Sequence, residues 1–315
     1  MHVSKPAISA LLTGLAGIGA SGLVLAEAPD RPAMQEAHQA FAVIAHRGAS
    51  GHAPEQTWPA LEQALDMGAD YLELDVQVTA DGELVAFHDD DMARTTGVEG
   101  AVSEFTLAEL QALDAGRWFN EAFPERAETA YEGARILSLD EIFARYGDSV
   151  RYYLETKSPH LNPGLEEALV ERLEAHGLAE PERVLIQSFD RQSLLRVHEL
   201  DAELPLIQLL WYSPEEEGAE ALVEWSGVTP APEEIRDTDF QAIADYAIGV
   251  GTNLTYDDGR EVIDGDFVRQ AQANDLLVHI YTINDGETMA RLVDWGVDGL
   301  FTNFPDRLGE LVPAE

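Results

Sequence analysis

The stretch YLELDVQVTADGELVAFHDD at residues 71–90 decides how the chain folds. Successive residues of a strand point to opposite faces. Leu72 and Leu74 therefore share one apolar face, while Glu73 and Asp75 project together from the other. Leucines packed under helices and two acids turned the opposite way suit a closed barrel, where the second face looks onto the barrel axis. The Asp81-Gly82 turn then reverses the chain into a short strand at 83–88, a hairpin on the end of the first.

Outward from this stretch, short apolar runs alternate with amphipathic segments. The runs lie at 41–45, 71–76, 152–155, 184–187, 206–210, 246–250, 276–281 and 299–302. Helical patterns fall at 58–67, 139–146, 165–176, 191–200, 240–245, 262–274 and 287–295, with Thr57 and Asp190 as caps and Gly177 as a stop. Eight βα repeats close naturally into an α/β fold of the (β/α)₈ TIM-barrel type, because parallel strands need helical crossovers and closure removes the sheet edges. A doubly wound open sheet is the alternative topology. Residues 89–135 break the rhythm and form an excursion after strand 2 that helps roof the site. No linker divides the remainder, so 41–312 reads as a single domain.

Composition narrows the partners. The 315 residues carry 19 Lys+Arg against 59 Asp+Glu, a net charge of −40, which repels nucleic acid and anionic membrane surfaces. Such an acid excess also suits a saline habitat, where salt screens self-repulsion. Cysteine is absent, which excludes disulfides, thiolate metal sites and a cysteine nucleophile. At the N-terminus, Lys5 precedes an uncharged stretch rich in Ala, Leu and Gly that ends Val24-Leu25-Ala26. This pattern predicts a secretory signal peptide over 1–26, a periplasmic mature chain, and no stable membrane association once the signal is removed.

Side chains ill suited to a core recur at the C-terminal ends of the strands, where barrel active sites sit. They are His46 and Arg47, Glu73 and Asp75, Glu155 and Lys157, Gln187 and Ser188, and Tyr281. Glu73, Asp75 and Glu155 make an all-oxygen ligand set of the kind one hard divalent cation, Ca²⁺ or Mg²⁺, accepts. His46 and His88 end apolar runs where a neutral imidazole can take or give a proton near pH 7. Arg47 and Lys157 bring positive charge to an acidic mouth, so phosphate is the natural ligand. Trp118, Phe119, Phe189, Trp211 and Tyr281 are candidate aromatics around that mouth. His52, His160, His176, His198 and His279 read as structural.

Six blocks carry a resemblance: HRGASGHAPEQT at 46–57, ELDVQVTADGELVAFHDD at 73–90, YYLETKSP at 152–159, LIQSFD at 185–190, VHIYTIND at 278–285 and GVDGLFTNFPD at 296–306. In this order the sequence resembles the glycerophosphodiester phosphodiesterase family, its periplasmic type most closely. The resemblance implies metal-dependent hydrolysis of a small glycerophosphodiester to sn-glycerol 3-phosphate and an alcohol. It places the acid and base pair on His46 and His88, the metal ligands on Glu73, Asp75 and Glu155, and phosphate contacts on Arg47 and Lys157. Glu55 corresponds to the acidic residue of a block usually written PENT, here PEQT, so Gln56 replaces an asparagine and its longer amide shifts the hydrogen bonding around Glu55. Gln187 and Tyr281 complete the expected substrate-binding set. The related readings are a phospholipase on the same barrel, D-type or phosphatidylinositol-specific, and a secreted binding protein that keeps the fold without the reaction.

Overall fold

The computed structural model describes residues 31–216 and 218–312; the expected signal segment at 1–26 lies outside the described residues. In chain order the strands are β1 (Ala42–Ala45), β2 (Tyr71–Val78), β3 (Leu84–Ala86), β4 (Arg151–Thr156), β5 (Val184–Ser188), β6 (Leu206–Leu210), β7 (Tyr212–Pro214), β8 (Leu222–Glu224), β9 (Gly249–Asn253), β10 (Leu277–Tyr281) and β11 (Gly299–Thr302). Eight of them run parallel in the order β1-β11-β10-β9-β6-β5-β4-β2. Ile44 then pairs with Tyr71, joining β1 to β2 and closing the barrel, which rules out the open sheet. The hairpin on β2 is present: β3 runs antiparallel to it, with Val76 beside Ala86.

The pleat sorts the side chains. Leu72, Leu74, Leu154 and Ile186 lie in the large outer core beneath the helices. Ile44, Tyr71, Tyr153, Leu185, Ile207 and Phe301 fill the interior as a separate apolar cluster. Because that cluster packs the floor, Glu73, Glu155 and Gln187, two positions beyond Tyr71, Tyr153 and Leu185, sit on a solid base rather than over a pore.

Three local expectations shift. The strand expected at 246–250 forms at Gly249–Asn253 instead, since Ile207 and Leu209 crowd the interior there. A Cβ on Gly249 would lie 2.8 Å from the Ile207 side chain, and one on Gly251 would lie 2.6 Å from Leu209. Val262 and Ile263 enter the outer core, and the helix begins at Gly265, where the Asp264 carboxylate accepts from two backbone N–H groups. Thr57 precedes its helix without capping it; its hydroxyl donates to the Pro54 carbonyl at 2.6 Å. Asp190 caps as expected. The β7–β8 hairpin was not legible in the pattern, because strands of three residues are too short to show an alternation.

Residues 89–135 carry short helices at Ala93–Thr96, Leu107–Leu110 and Arg117–Ala122. They hold two small apolar cores of their own, around Phe87, Met92 and Leu110 and around Ala60, Phe119 and Tyr131. Phe119 is fully buried in the second.

One buried imidazole links this packing to pH. His279 lies in the barrel interior with Nδ1 2.9 Å from the Tyr153 hydroxyl. Burial, with a smaller push from His38, lowers its pKa to about 3. Its contribution to stability is full above the unfolded value of about 6.5 and is lost as pH falls toward the folded value. Within that window the slope approaches about 1.4 kcal/mol per pH unit. Urea unfolding measured from about pH 6 to about pH 4.5 should therefore lose free energy more steeply in the wild type than in His279→Gln; equal slopes would mean the imidazole titrates freely in the folded protein.

Candidate active site

The first turn after β1 sets the geometry. Arg47 takes a positive φ of 59° and Gly48 follows at 80°; a Cβ on Gly48 would strike the Ala60 carbonyl, 2.8 Å away. This left-handed turn, unusual for an arginine, aims the Arg47 N–H at Glu73 Oε2, 2.8 Å away. Gln56 is a second left-handed residue, φ 56°. Its amide clamps Asp75 from both sides, Nε2 donating to Oδ2 at 2.8 Å and Oε1 accepting from the Asp75 N–H at 3.0 Å. The longer amide at this position thus binds Asp75 rather than Glu55.

One carboxylate oxygen from each of Glu73, Asp75 and Glu155 lies within 4.8 Å of the other two, and all three residues are buried. Register brings this about, since Asp75 on β2 is directly beside Glu155 on β4. Burial and the neighbouring Asp75 push the Glu73 carboxyl well above the usual carboxylate range. Burial opposes ionisation of Asp75 as well, but Lys157, His88 and Arg47 hold it well below that range. Lys157 Nζ lies 3.1 Å from Glu155 and 3.4 Å from Asp75. Arg47 Nε is 3.3 Å from Asp75, an ion contact without hydrogen-bond alignment. Gln187 donates to Glu73 at 3.2 Å, and its own carbonyl oxygen is buried without a partner. Three crowded acids plus an unsatisfied amide oxygen fit a hard divalent cation, whose charge would relieve the repulsion that raises Glu73.

The imidazoles are held differently. His46 Nδ1 is 2.8 Å from Asn303 Oδ1, which also accepts from Ser50 at 3.0 Å. The oxygen makes Nδ1 the protonated nitrogen and leaves Nε2 as the acceptor. Burial, reinforced by the Arg47 charge, lowers the His46 pKa to about 3, so this ring is neutral at pH 7. His88 Nδ1 instead lies 2.6 Å from the carboxylate of Asp89.

His46, Arg47, Glu73, His88, Glu155, Lys157, Gln187 and Tyr281 all line one cavity of about 200 Å³, together with Phe189 and Trp211. Asp75 lies beneath it, 1% exposed. Glu55 stands to one side, 3.1 Å from Arg47 Nη1. Of the expected mouth aromatics, Phe189, Trp211 and Tyr281 line the cavity. Trp118 and Phe119 do not; they pack edge-on or tilted against each other and Phe123 within the excursion. His52 pairs with Asp306 and His176 with Asp140, both away from the cavity.

Asn303, Asp89 and Arg94 are site residues that sequence reasoning missed, and Gln56 was read against Glu55 rather than Asp75. The first two stand in the quoted blocks beside residues that were singled out. Arg94 carries no signal, for its role exists only in three dimensions. It joins Asp89 at 2.5 Å through Nε to Glu55 at 2.7 Å through Nη2, so an arginine of the excursion ties the His88 partner to the Arg47 partner.

Acids, imidazoles and fixed cations converging at the C-terminal rim define the chain as a (β/α)₈ barrel of the catalytic kind. It belongs to the glycerophosphoryl diester phosphodiesterase family, whose sequence profile matches residues 46–307. A glycerophosphodiester phosphodiesterase of Bacillus subtilis (strain 168) is 43% identical over 267 residues, covering 84% of this chain and 83% of that one. Another of that name, from Caldanaerobacter subterraneus subsp. tengcongensis, is 36% identical over 272 residues, 86% of this chain and 97% of its own. Among solved structures, an Oleispira antarctica phosphodiesterase in complex with the product sn-glycerol-3-phosphate superposes with a TM-score of 0.66 at 28% identity, covering 85% of this chain and 95% of that chain.

The Arg94 bridge makes a prediction. Arg94→Ala removes the shared partner of Asp89 and Glu55, and turnover should fall about tenfold or more, as expected for a disturbed acid–base group, with KM less affected. Arg94→Lys, which cannot reach both carboxylates in a fork, should recover only part of it. Wild-type kcat in Arg94→Ala would remove any role for the bridge.

Proposed function

We propose that the protein hydrolyses glycerophosphodiesters to sn-glycerol 3-phosphate and an alcohol such as choline, ethanolamine or glycerol. The observation that carries this reading is that both imidazoles, Glu73 and Glu155 of the acidic cluster and two fixed cations face a single cavity. The family and the product bound by the Oleispira antarctica relative support it.

Glu73, Asp75 and Glu155 would hold one divalent cation, Ca²⁺ or Mg²⁺, which supplies Lewis-acid charge to a phosphoryl oxygen. Arg47 and Lys157 offset the remaining charge that builds on the phosphoryl group. Neutral His46 accepts at Nε2 the proton of the attacking water, its tautomer fixed by Asn303. His88, its ring oriented by Asp89, gives a proton to the leaving alcohol. Gln187 and Tyr281 shape the substrate wall, the tyrosine ring held by its hydroxyl donating to the Leu210 carbonyl at 2.6 Å, and Glu55 steadies Arg47. On the sequence at 1–26 the mature enzyme is assigned to the periplasm. Among the described residues no helix is long and apolar enough to cross a membrane.

The assay is release of sn-glycerol 3-phosphate from glycerophosphocholine. His46→Ala and His88→Ala should each lose about 10²-fold or more in turnover while the folded far-UV signature is retained; near-normal turnover in either refutes the pairing. Chelation should abolish activity and added Ca²⁺ or Mg²⁺ restore it, whereas full activity after exhaustive chelation would dismiss the metal.

A further inference from the structure

The rim cavity does not end at the acid–base groups. Phe189 and Trp211, which line it, also form two walls of an adjoining trough, and the third wall is Trp225, just past β8. The trough offers ring faces and almost no polar surface.

Trp225 is 71% exposed, against 41% for Leu161, the next most exposed large apolar side chain among the described residues. Its position is nevertheless built. The carboxylate of Glu224, 7% exposed, accepts from the backbone N–H of Trp211 at 3.2 Å and of Val228 at 2.8 Å, and from the Ser226 hydroxyl at 2.9 Å. The Trp225 N–H donates to the Trp211 carbonyl at 2.9 Å. A buried charge thus locks the turn that holds an indole out in water. The rings continue inward without a break: Trp225 meets Phe189 edge-on at 6.4 Å, Phe189 meets Tyr281 at 6.1 Å, and Tyr281 stacks on Trp211 at 6.3 Å.

We propose that this trough is the subsite for the alcohol half of the substrate and that it selects a quaternary ammonium head group. The inference rests on the phosphodiesterase reading above. The inner cavity of about 200 Å³ takes the phosphate and one small arm, leaving the second arm to extend over the rings. A polyol arm would give up hydrogen bonds to water and find none in return. A primary ammonium loses the same way, since its three donors need acceptors. A trimethylammonium has no donor to satisfy, and its charge is attracted to the negative faces of indole and phenyl rings. The net charge of −40 adds a long-range preference for the same sign. Arg191, which lines the adjoining surface hollow with Phe189 and Trp225, has its guanidinium over the Tyr246 ring at 5.3 Å.

The test compares kcat/KM for glycerophosphocholine, glycerophosphoethanolamine and glycerophosphoglycerol in the full chain and in Trp225→Ala and Trp225→Phe. In the wild type choline should lead the other two. In Trp225→Ala the choline-to-glycerol ratio should fall by about fivefold, the size of an exposed cation–π contact, with the change mainly in KM; Trp225→Phe should restore most of it. Because the indole is exposed, unfolding is not expected, and an unchanged thermal midpoint checks this. Activity on all three substrates with an unaltered ratio in Trp225→Ala overturns the subsite alone. A larger loss on lysophosphatidylcholine than on glycerophosphocholine also overturns it, in favour of an acyl chain as the occupant. No sn-glycerol 3-phosphate from any substrate with the wild type sinks the phosphodiesterase reading, and the subsite with it.

Discussion

Placing three carboxylates inside an apolar barrel is the constraint on which the rest of this molecule depends. An ionised group taken out of water costs on the order of several kcal/mol unless charge and hydrogen bonds replace the solvent. Here the replacements come from every side: the Arg47 N–H on Glu73, the Gln56 amide clamping Asp75, the Gln187 amide on Glu73, and Lys157 between Asp75 and Glu155. Two residues in the left-handed region, Arg47 and Gln56, are held there by this requirement, because only that backbone turns their donors onto β2. Even so Glu73 remains hard to ionise, and a divalent cation is the element that would complete the balance.

The same economy explains how two identical side chains come to differ. His46 rests against a neutral amide oxygen in a buried site and stays unprotonated, while His88 rests against a carboxylate. The two rings are set apart by their partners rather than by their own chemistry. The partner of His88 is in turn gripped by Arg94, so the excursion after β2 serves the site through one guanidinium that spans Asp89 and Glu55. Its aromatic residues, Trp118 and Phe119, act one step further back, packing the segment that carries Arg94; the Arg94 guanidinium itself lies over the Trp118 ring at 5.1 Å.

Much of this was legible before any coordinates. The alternation Leu72-Glu73-Leu74-Asp75 is a local property, since neighbours on a strand face opposite ways whatever the surroundings. Eight apolar runs with helical spacers define a parallel barrel for the same reason, and a barrel puts the polar ends of its strands on one rim. The candidate ligands, both imidazoles, Arg47, Lys157, Gln187 and Tyr281 followed from these rules and from six blocks of sequence.

What only the tertiary structure decided are the pairings between residues distant in the chain. Asn303 reaches His46 across 257 positions and Arg94 reaches Glu55 across 39; no periodicity encodes such contacts, which arise when β11 closes against β1 and the excursion folds back. The shift of β9 to Gly249–Asn253 has the same origin, because the space available to a glycine is set by Ile207 and Leu209 on the next strand. Trp225 stood unnoticed for a related reason: just past a three-residue strand an aromatic side chain looks like any other, and only its neighbours Phe189 and Trp211 make it the wall of a trough. Local chemistry is written in the order of residues, whereas protonation state and specificity belong to whatever side chains the closed barrel brings within hydrogen-bond reach.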